Sequence, residues 1–256
     1  MLRPPISDFA PVIEHTRKVV KVKSIYFFKP RYVTRVGVFQ HLRREMRVWK
    51  GLKHPNIVRF IGYAIEHEVY GVTAALVSEW CANGTVVKYL QQNPAADRGM
   101  LVSDVAQGLL YLHSRNPIII HADLKPLNIL INDMGRAQLC DFGLSCILDE
   151  LPTGLTTSVR GGTLRFLAPE LLDASKDPHP TTNSDVYAFG CTSIQILFDH
   201  PPYYWLKREI EIVKAIERND TPWGWSDRPL EQLLASCCSA SVARPSMSQI
   251  VAFWSA

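Results

Sequence analysis

Residues 121–128 read His121-Ala122-Asp123-Leu124-Lys125-Pro126-Leu127-Asn128, and a second polar loop, Asp141-Phe142-Gly143, follows soon after. A short apolar run precedes each, residues 117–120 and residues 137–140, of a kind that forms a brief buried strand. Two strand ends therefore present Asp123, Lys125, Asn128 and Asp141 on loops close together in sequence. Any one aspartate in a loop reads as a turn residue or a cap. Four side chains of complementary chemistry on two neighbouring loops are not explained by turn formation.

Working outward, residues 17–28 (RKVVKVKSIYFF) alternate and are β-branched, which predicts a strand. Residues 38–53 predict a helix stopped by His54-Pro55. Its apolar stripe is Leu42, Met46 and Trp49, yet Glu45 falls on the same side. A carboxylate aimed at a core costs several kcal/mol unless a cation meets it. Lys21 and Lys23 sit two apart on the preceding strand and so face one way, which predicts a strand-to-helix Lys–Glu pair, the bland alternative being a Glu45 that reaches solvent at the stripe's edge. Residues 56–62 and 72–80 read as further strands, and 81–84 as a linker. Beyond it the helical period takes over, with Leu101, Val105, Leu109 and Leu112 on one face. The order predicted is a small strand-rich part followed by a larger helical one.

The chain has 256 residues, 47% hydrophobic and 20% charged, with mean hydropathy near zero, enough for two lobes with separate cores. The opening residues MLRPPISDFAPV hold no apolar run of a secretory signal, and no stretch nears the roughly 20 apolar residues of a membrane span. Six cysteines without C-x-x-C pairs read as reduced thiols, which predicts a cytoplasmic location, with the nucleus as the alternative. Residues 1–54 carry 13 Lys/Arg against 3 Asp/Glu, the remainder 15 against 21. The basic residues are spread out and no nucleic-acid motif accompanies them, so a solvated surface is expected and not a nucleic-acid site.

The loop chemistry is that of phosphoryl transfer, which needs a carboxylate at the attacking hydroxyl, oxygen ligands for Mg²⁺ and cations for charge developing on the transferred group. Further segments fall into order around those loops. They are Val20-Lys21-Val22-Lys23, Glu45, His54-Pro55-Asn56-Ile57-Val58 and Leu76-Val77-Ser78-Glu79-Trp80, then Gly162-Thr163, Ala168-Pro169-Glu170, Ser184-Asp185-Val186-Tyr187-Ala188-Phe189-Gly190 and Arg244-Pro245. In these the chain, from about residue 18 to its end, resembles the eukaryotic protein kinases, specifically the serine/threonine kinases of the tyrosine-kinase-like group.

The resemblance implies a two-lobed α+β fold within a single domain, with an N-lobe over 1–80, a hinge at 81–84 and a mostly helical C-lobe over 85–256. It implies ATP and Mg²⁺ as cofactors and a protein substrate bearing a Ser or Thr hydroxyl. Lys23 would bind the α- and β-phosphates and pair with Glu45, Lys21 being the alternative lysine. Asp123 would accept the hydroxyl proton, Lys125 would steady the γ-phosphate, and Asn128 and Asp141 would hold Mg²⁺. Ser78 would be the gatekeeper, with Glu79 and Cys81 presenting backbone to adenine and Leu130 beneath it. Phe60, Trp49, Phe142 and His121 would stack between the lobes, Asp185 would hold the loop backbone, and Glu170 would pair with Arg244. Lys125 and Thr163 mark the serine/threonine type.

Three departures stand out. The first glycine is Gly37, well after Lys23, so the family's Gly-rich loop is missing, and about one strand, near residues 9–13, fits before the lysine strand. A reduced N-lobe is therefore expected. Lys21 stands where a small alanine usually packs on adenine, and Ala122 replaces the arginine that receives an activation-loop phosphate. The expected function is a protein serine/threonine kinase. The alternative is a weakly active or inactive pseudokinase serving as a binding module.

Overall fold

The computed structural model describes residues 20–27, 45–68, 71–142, 145–147, 161–172 and 178–254. For 20–27, 65–68, 71–74, 146–147 and 161–163 the description is of backbone alone. The predicted strand near residues 9–13 and Thr156, Thr157 and Ser158 lie outside it.

Among the described residues the N-lobe holds a three-stranded antiparallel sheet in the order β1-β3-β2, formed by β1 (Val20–Phe27), β2 (Phe60–Glu68) and β3 (Gly71–Glu79). Lys21 lies opposite Ser78 and Lys23 opposite Leu76, and the register shifts immediately afterwards, between Lys23 and Tyr26. Helix α1 is described over residues 45–49. It stops earlier than the predicted residue 53: Lys50 N–H still reaches Met46 O, but Leu52 N–H bonds Trp49 O, tightening the last turn around Gly51.

The strand predicted over 56–62 is also displaced. Residues 56–58 are tied instead to the C-lobe, where Val58 N–H donates to Leu139 O and Leu139 N–H to Asn56 O, and the strand proper starts at Phe60. Pairing with a distant segment overrides the local β-propensity here. Close approach by helix α3 (Arg98–His113) leaves no room for a side chain at Gly108, where a Cβ would stand 2.8 Å from Asn56 O.

The C-lobe opens with α2 (Val86–Gln92), capped by Thr85, and α3, capped by Asp97. Leu101, Val105, Leu109 and Leu112 are buried as their spacing predicts, each worth about 1.5–3 kcal/mol of apolar burial. Two small two-stranded sheets follow: β4 (Ile119–Ile120) with β7 (Cys146–Ile147), and, between them in the chain, the hairpin of β5 (Ile129–Ile131) with β6 (Ala137–Leu139). Next come α4 (Thr182–Phe198), α5 (Glu209–Glu217), α6 (Pro229–Cys237) and α7 (Met247–Ala252). Twelve of the residues of α4 are buried, on all sides, so it is the central post of the lobe. One apolar cluster runs from Val48 and Trp49 through α3 to Phe189 on α4 and joins the lobes.

Candidate active site

The strand ends bring the two polar loops together. Strand β4 delivers His121, buried beneath the loop, and the Asp123 carboxylate emerges two residues later, only 11% exposed. Lys125 Nζ donates to both of its oxygens, at 2.9 and 2.8 Å. Asn128 Nδ2 donates to Asp123 Oδ2 at 2.9 Å and to its carbonyl at 2.8 Å. With Nδ2 committed to Asp123, the Asn128 amide oxygen faces away from it.

His121 has its tautomer set by its neighbours. Asp123 N–H donates to Nδ1 at 3.3 Å, so the proton sits on Nε2, which reaches Cys140 O at 3.3 Å. Burial pushes its pKa down, against the opposing pull of Asp185, Asp123 and Asp141. Burial thus favours the neutral ring.

Asp185, 1% exposed in the first turn of α4, holds the loop from below. It accepts from His121 N–H at 2.8 Å and Ala122 N–H at 2.9 Å. His113 Nε2, at the end of α3, lies 2.9 Å from the same carboxylate. Ala122 is left-handed at φ 65° and Asp141 at φ 73°, conformations that non-glycine residues keep only where the surroundings enforce them. Sequence reading missed His113; its place in the last turn of an amphipathic helix gives it only a dipole role.

Four rings link the lobes: Phe60 to Trp49 at 5.4 Å, Trp49 to Phe142 at 5.6 Å and Phe142 to His121 at 5.4 Å between centroids. Trp49 Nε1 also donates to Val58 O at 2.7 Å. Glu45 is buried on α1, one turn from Trp49. The lysine side chains expected to meet it, and Gly143, are outside the described residues. Ser78 is buried at the end of β3, with Glu79 and Cys81 following it, and Leu130 is buried on β5, which bridges to Thr85 just past the linker.

Beyond the loops, a 3₁₀ segment, Gly161–Phe166, carries Thr163 and Arg165. The Arg165 guanidinium donates to the carbonyls of Pro202, Tyr203 and Leu206 at 2.7, 2.7 and 2.9 Å, and was not foreseen. Glu170 and Arg244 form a bidentate pair at 2.6 and 3.0 Å, with the guanidinium 5.0 Å from the Tyr187 ring centroid.

The architecture agrees with the comparisons. The Protein kinase domain family model matches residues 9–254, and the chain belongs to the protein kinase family. It is similar to cytokinesis protein sepH of Aspergillus niger, 34% identical over 81% of this chain, and to the serine/threonine-protein kinase RUNKEL of Arabidopsis thaliana, 35% identical over 79%. It is also 39% identical, over 58% of its length, to receptor-interacting serine/threonine-protein kinase 3 of Rattus norvegicus. It spans only 14%, 14% and 32% of those three proteins. Among the described residues no helix is long and apolar enough to cross a membrane.

Proposed function

We propose that this chain is a cytoplasmic serine/threonine kinase of the tyrosine-kinase-like group, transferring the γ-phosphate of ATP to protein hydroxyls. The reading is carried by the Asp123 carboxylate, fixed by Lys125 and Asn128 on a loop whose Asn128 carbonyl accepts from Cys140 N–H, the residue before Asp141. The donor set suits Mg²⁺: a carboxylate on Asp141 and an amide oxygen on Asn128 are hard oxygen ligands. Bound there, the ion would neutralise charge on the phosphate oxygens.

Asp123 accepts the proton of the substrate hydroxyl as its oxygen bonds to the γ-phosphorus, and the bond from phosphorus to the departing ADP oxygen breaks. Lys125, already on Asp123, steadies the transferred group. Lys23 and Glu45 are assigned to the α- and β-phosphates, with adenine against Ser78, Glu79, Cys81 and Leu130. Residues 81–84 are the hinge between the lobes.

A second reading, a pseudokinase binding module, is favoured by the absence of any glycine before Gly37. A thermal-shift titration with Mg-ATP beside radiolabelled transfer separates the two. The kinase reading expects binding and transfer in the natural chain, with Asp123→Asn and Asp141→Asn each losing most of the transfer while staying folded. Wild-type rates in both variants would sink these assignments, and a folded chain with neither binding nor transfer would establish the module.

A further inference from the structure

The segment that carries Arg165 is wedged between two helices. Leu164 and Leu167 are buried with Tyr203 and with Ile212, Ala215 and Ile216 of α5. Phe166 and Ala168 are buried instead with Tyr187 and Cys191 of α4. The same stretch reaches the catalytic loop, since Phe166, Leu167 and Ala168 line one narrow cleft together with Ala122, Asp123 and Leu124. A hydroxyl brought to Asp123 is therefore presented beside residues 166–168.

Arg165 ties this stretch to the turn ahead of α5. Its Nη1 donates to Pro202 O and Tyr203 O, both at 2.7 Å, and its Nη2 to Leu206 O at 2.9 Å. These carbonyls lie outside any helix or strand, where backbone acceptors depend on such donors. Tyr203 is the corner of the turn, 1% exposed and left-handed at φ 56°. Its N–H donates to Pro222 O at 3.0 Å, and its hydroxyl lies 2.9 Å from that of Tyr187 and 3.0 Å from Asp220 O. A planar guanidinium offers several donors at fixed angles, which a lysine or an amide does not. Burial pushes the Arg165 pKa down, with no carboxylate among the described residues to oppose it. The side chain serves geometry, then, and not charge pairing.

We propose that Arg165 is a positioning residue for the phosphoacceptor protein, holding residues 164–168 in place beside Asp123 by tying them to the turn ahead of α5. The inference rests on the kinase reading above. A segment aligned only part of the time weakens acceptor binding by the aligned fraction, whereas an acceptor once bound completes the alignment. Alignment about one-tenth of the time would thus raise the acceptor KM about tenfold and leave kcat within about threefold.

The acceptor would be a pool of fluorescein-labelled peptides, each with one central serine in randomised flanks. Radiolabelled transfer gives KM and kcat, anisotropy gives Kd without any transfer, and urea unfolding gives the folded fraction. Arg165→Met keeps the aliphatic stem and loses all three bonds, so acceptor KM and Kd should rise about tenfold while KM for ATP holds. Arg165→Lys, with its donors gathered at one point, should fall between the two. Tyr203→Phe releases the same turn from the Tyr187 side and should raise acceptor KM as well, which keeps the test open if Arg165→Met does not fold. Unchanged acceptor KM and Kd in both variants would overturn the positioning role while leaving the kinase standing. A fall in kcat at constant acceptor KM, matching the loss of folded protein, would reduce Arg165 to a structural role and overturn it too. Peptide binding weakened in the variants, with no transfer even by the natural chain, would keep the positioning role and overturn the kinase reading. Neither transfer nor binding by the natural chain would overturn both.

Discussion

Replacing Asp185 with asparagine tests how the catalytic loop is held. One carboxylate oxygen accepts from His121 N–H and faces His113 Nε2, while the other accepts from Ala122 N–H. Asparagine keeps the shape but turns an NH₂ toward one of those donors, leaving a buried N–H unsatisfied, and it removes the charge from the bond that survives. An orphaned buried donor costs about 1–3 kcal/mol, and losing charge assistance about 1 more, so Asp185→Asn should cost about 2–4 kcal/mol. Ala122 adds a second handle. Its φ of 65° costs an alanine about 1–2 kcal/mol, against about 0.5–1 for the added chain entropy of glycine. Ala122→Gly should thus recover about 0.5–1 kcal/mol in either background. Urea unfolding followed by tryptophan fluorescence reads the stabilities, and radiolabelled transfer reads the site. In Asp185→Asn transfer should fall at least about tenfold, because an ångström of misplacement at Asp123 costs up to about a hundredfold. A loss under about 1 kcal/mol, or a glycine that destabilises both backgrounds, would refute this account of the loop.

Lys23→Ala should weaken nucleotide binding about ten- to a hundredfold, the loss of a charge-assisted phosphate contact, and much more than Lys21→Ala; titration calorimetry with Mg-ATP gives the ranking, and the reverse order moves the role to Lys21. Alanine at Thr156, Thr157 and Ser158 together should leave the transfer rate within a few-fold of the natural chain, since Ala122 offers no cation to a phosphate there; a collapse rescued by acidic replacements would point to another cation. Burial holds the His121 pKa below its usual 6.5, so under that pH the unfolded chain binds more protons than the native one. Stability should therefore be full above about pH 6.5 and decline as pH falls, by up to about 1.4 kcal/mol per pH unit for this group. Urea midpoints at about pH 7.5 and 5.5 should show a smaller drop in His121→Phe, and an unchanged drop would exclude the histidine.

The sequence was most legible where chemistry is local. Asp123, Lys125 and Asn128 lie within six residues and fold onto one another, so reading them as a unit was sufficient. The burial of Leu101, Val105, Leu109 and Leu112 followed from helical period. Pairing across the chain is where legibility ended. Residues 56–58 look like a strand but are claimed by Leu139. The left-handed turn at Ala122 carries no glycine or asparagine to announce it, because Asp185, distant in sequence, enforces it. Arg165 gave no signal, since its acceptors are backbone carbonyls that any residue carries.

These long-range dependences converge on α4. The left-handed Ala122 could not define the catalytic loop alone; its geometry is referred to Asp185 in the first turn of a helix closed by a Thr181–Ser184 capping box. Two positions on, Tyr187 underlies the Arg244–Glu170 pair that fixes the segment after Arg165. Near the far end, Gln195 and Ile196 line a cavity shared with α2. Residues 185 and 196 stand about 16 Å apart along one rigid rod. The rod is itself seated without slack: a Cβ at Gly190 would fall 2.7 Å from Cys238 Sγ and 3.0 Å from Cys237 Cβ. Loosening that element, as Gly190→Ala would by forcing α6 away, should therefore lower stability in urea unfolding and slow transfer through the displaced Asp185, and a variant equal to the natural chain in both would refute the dependence.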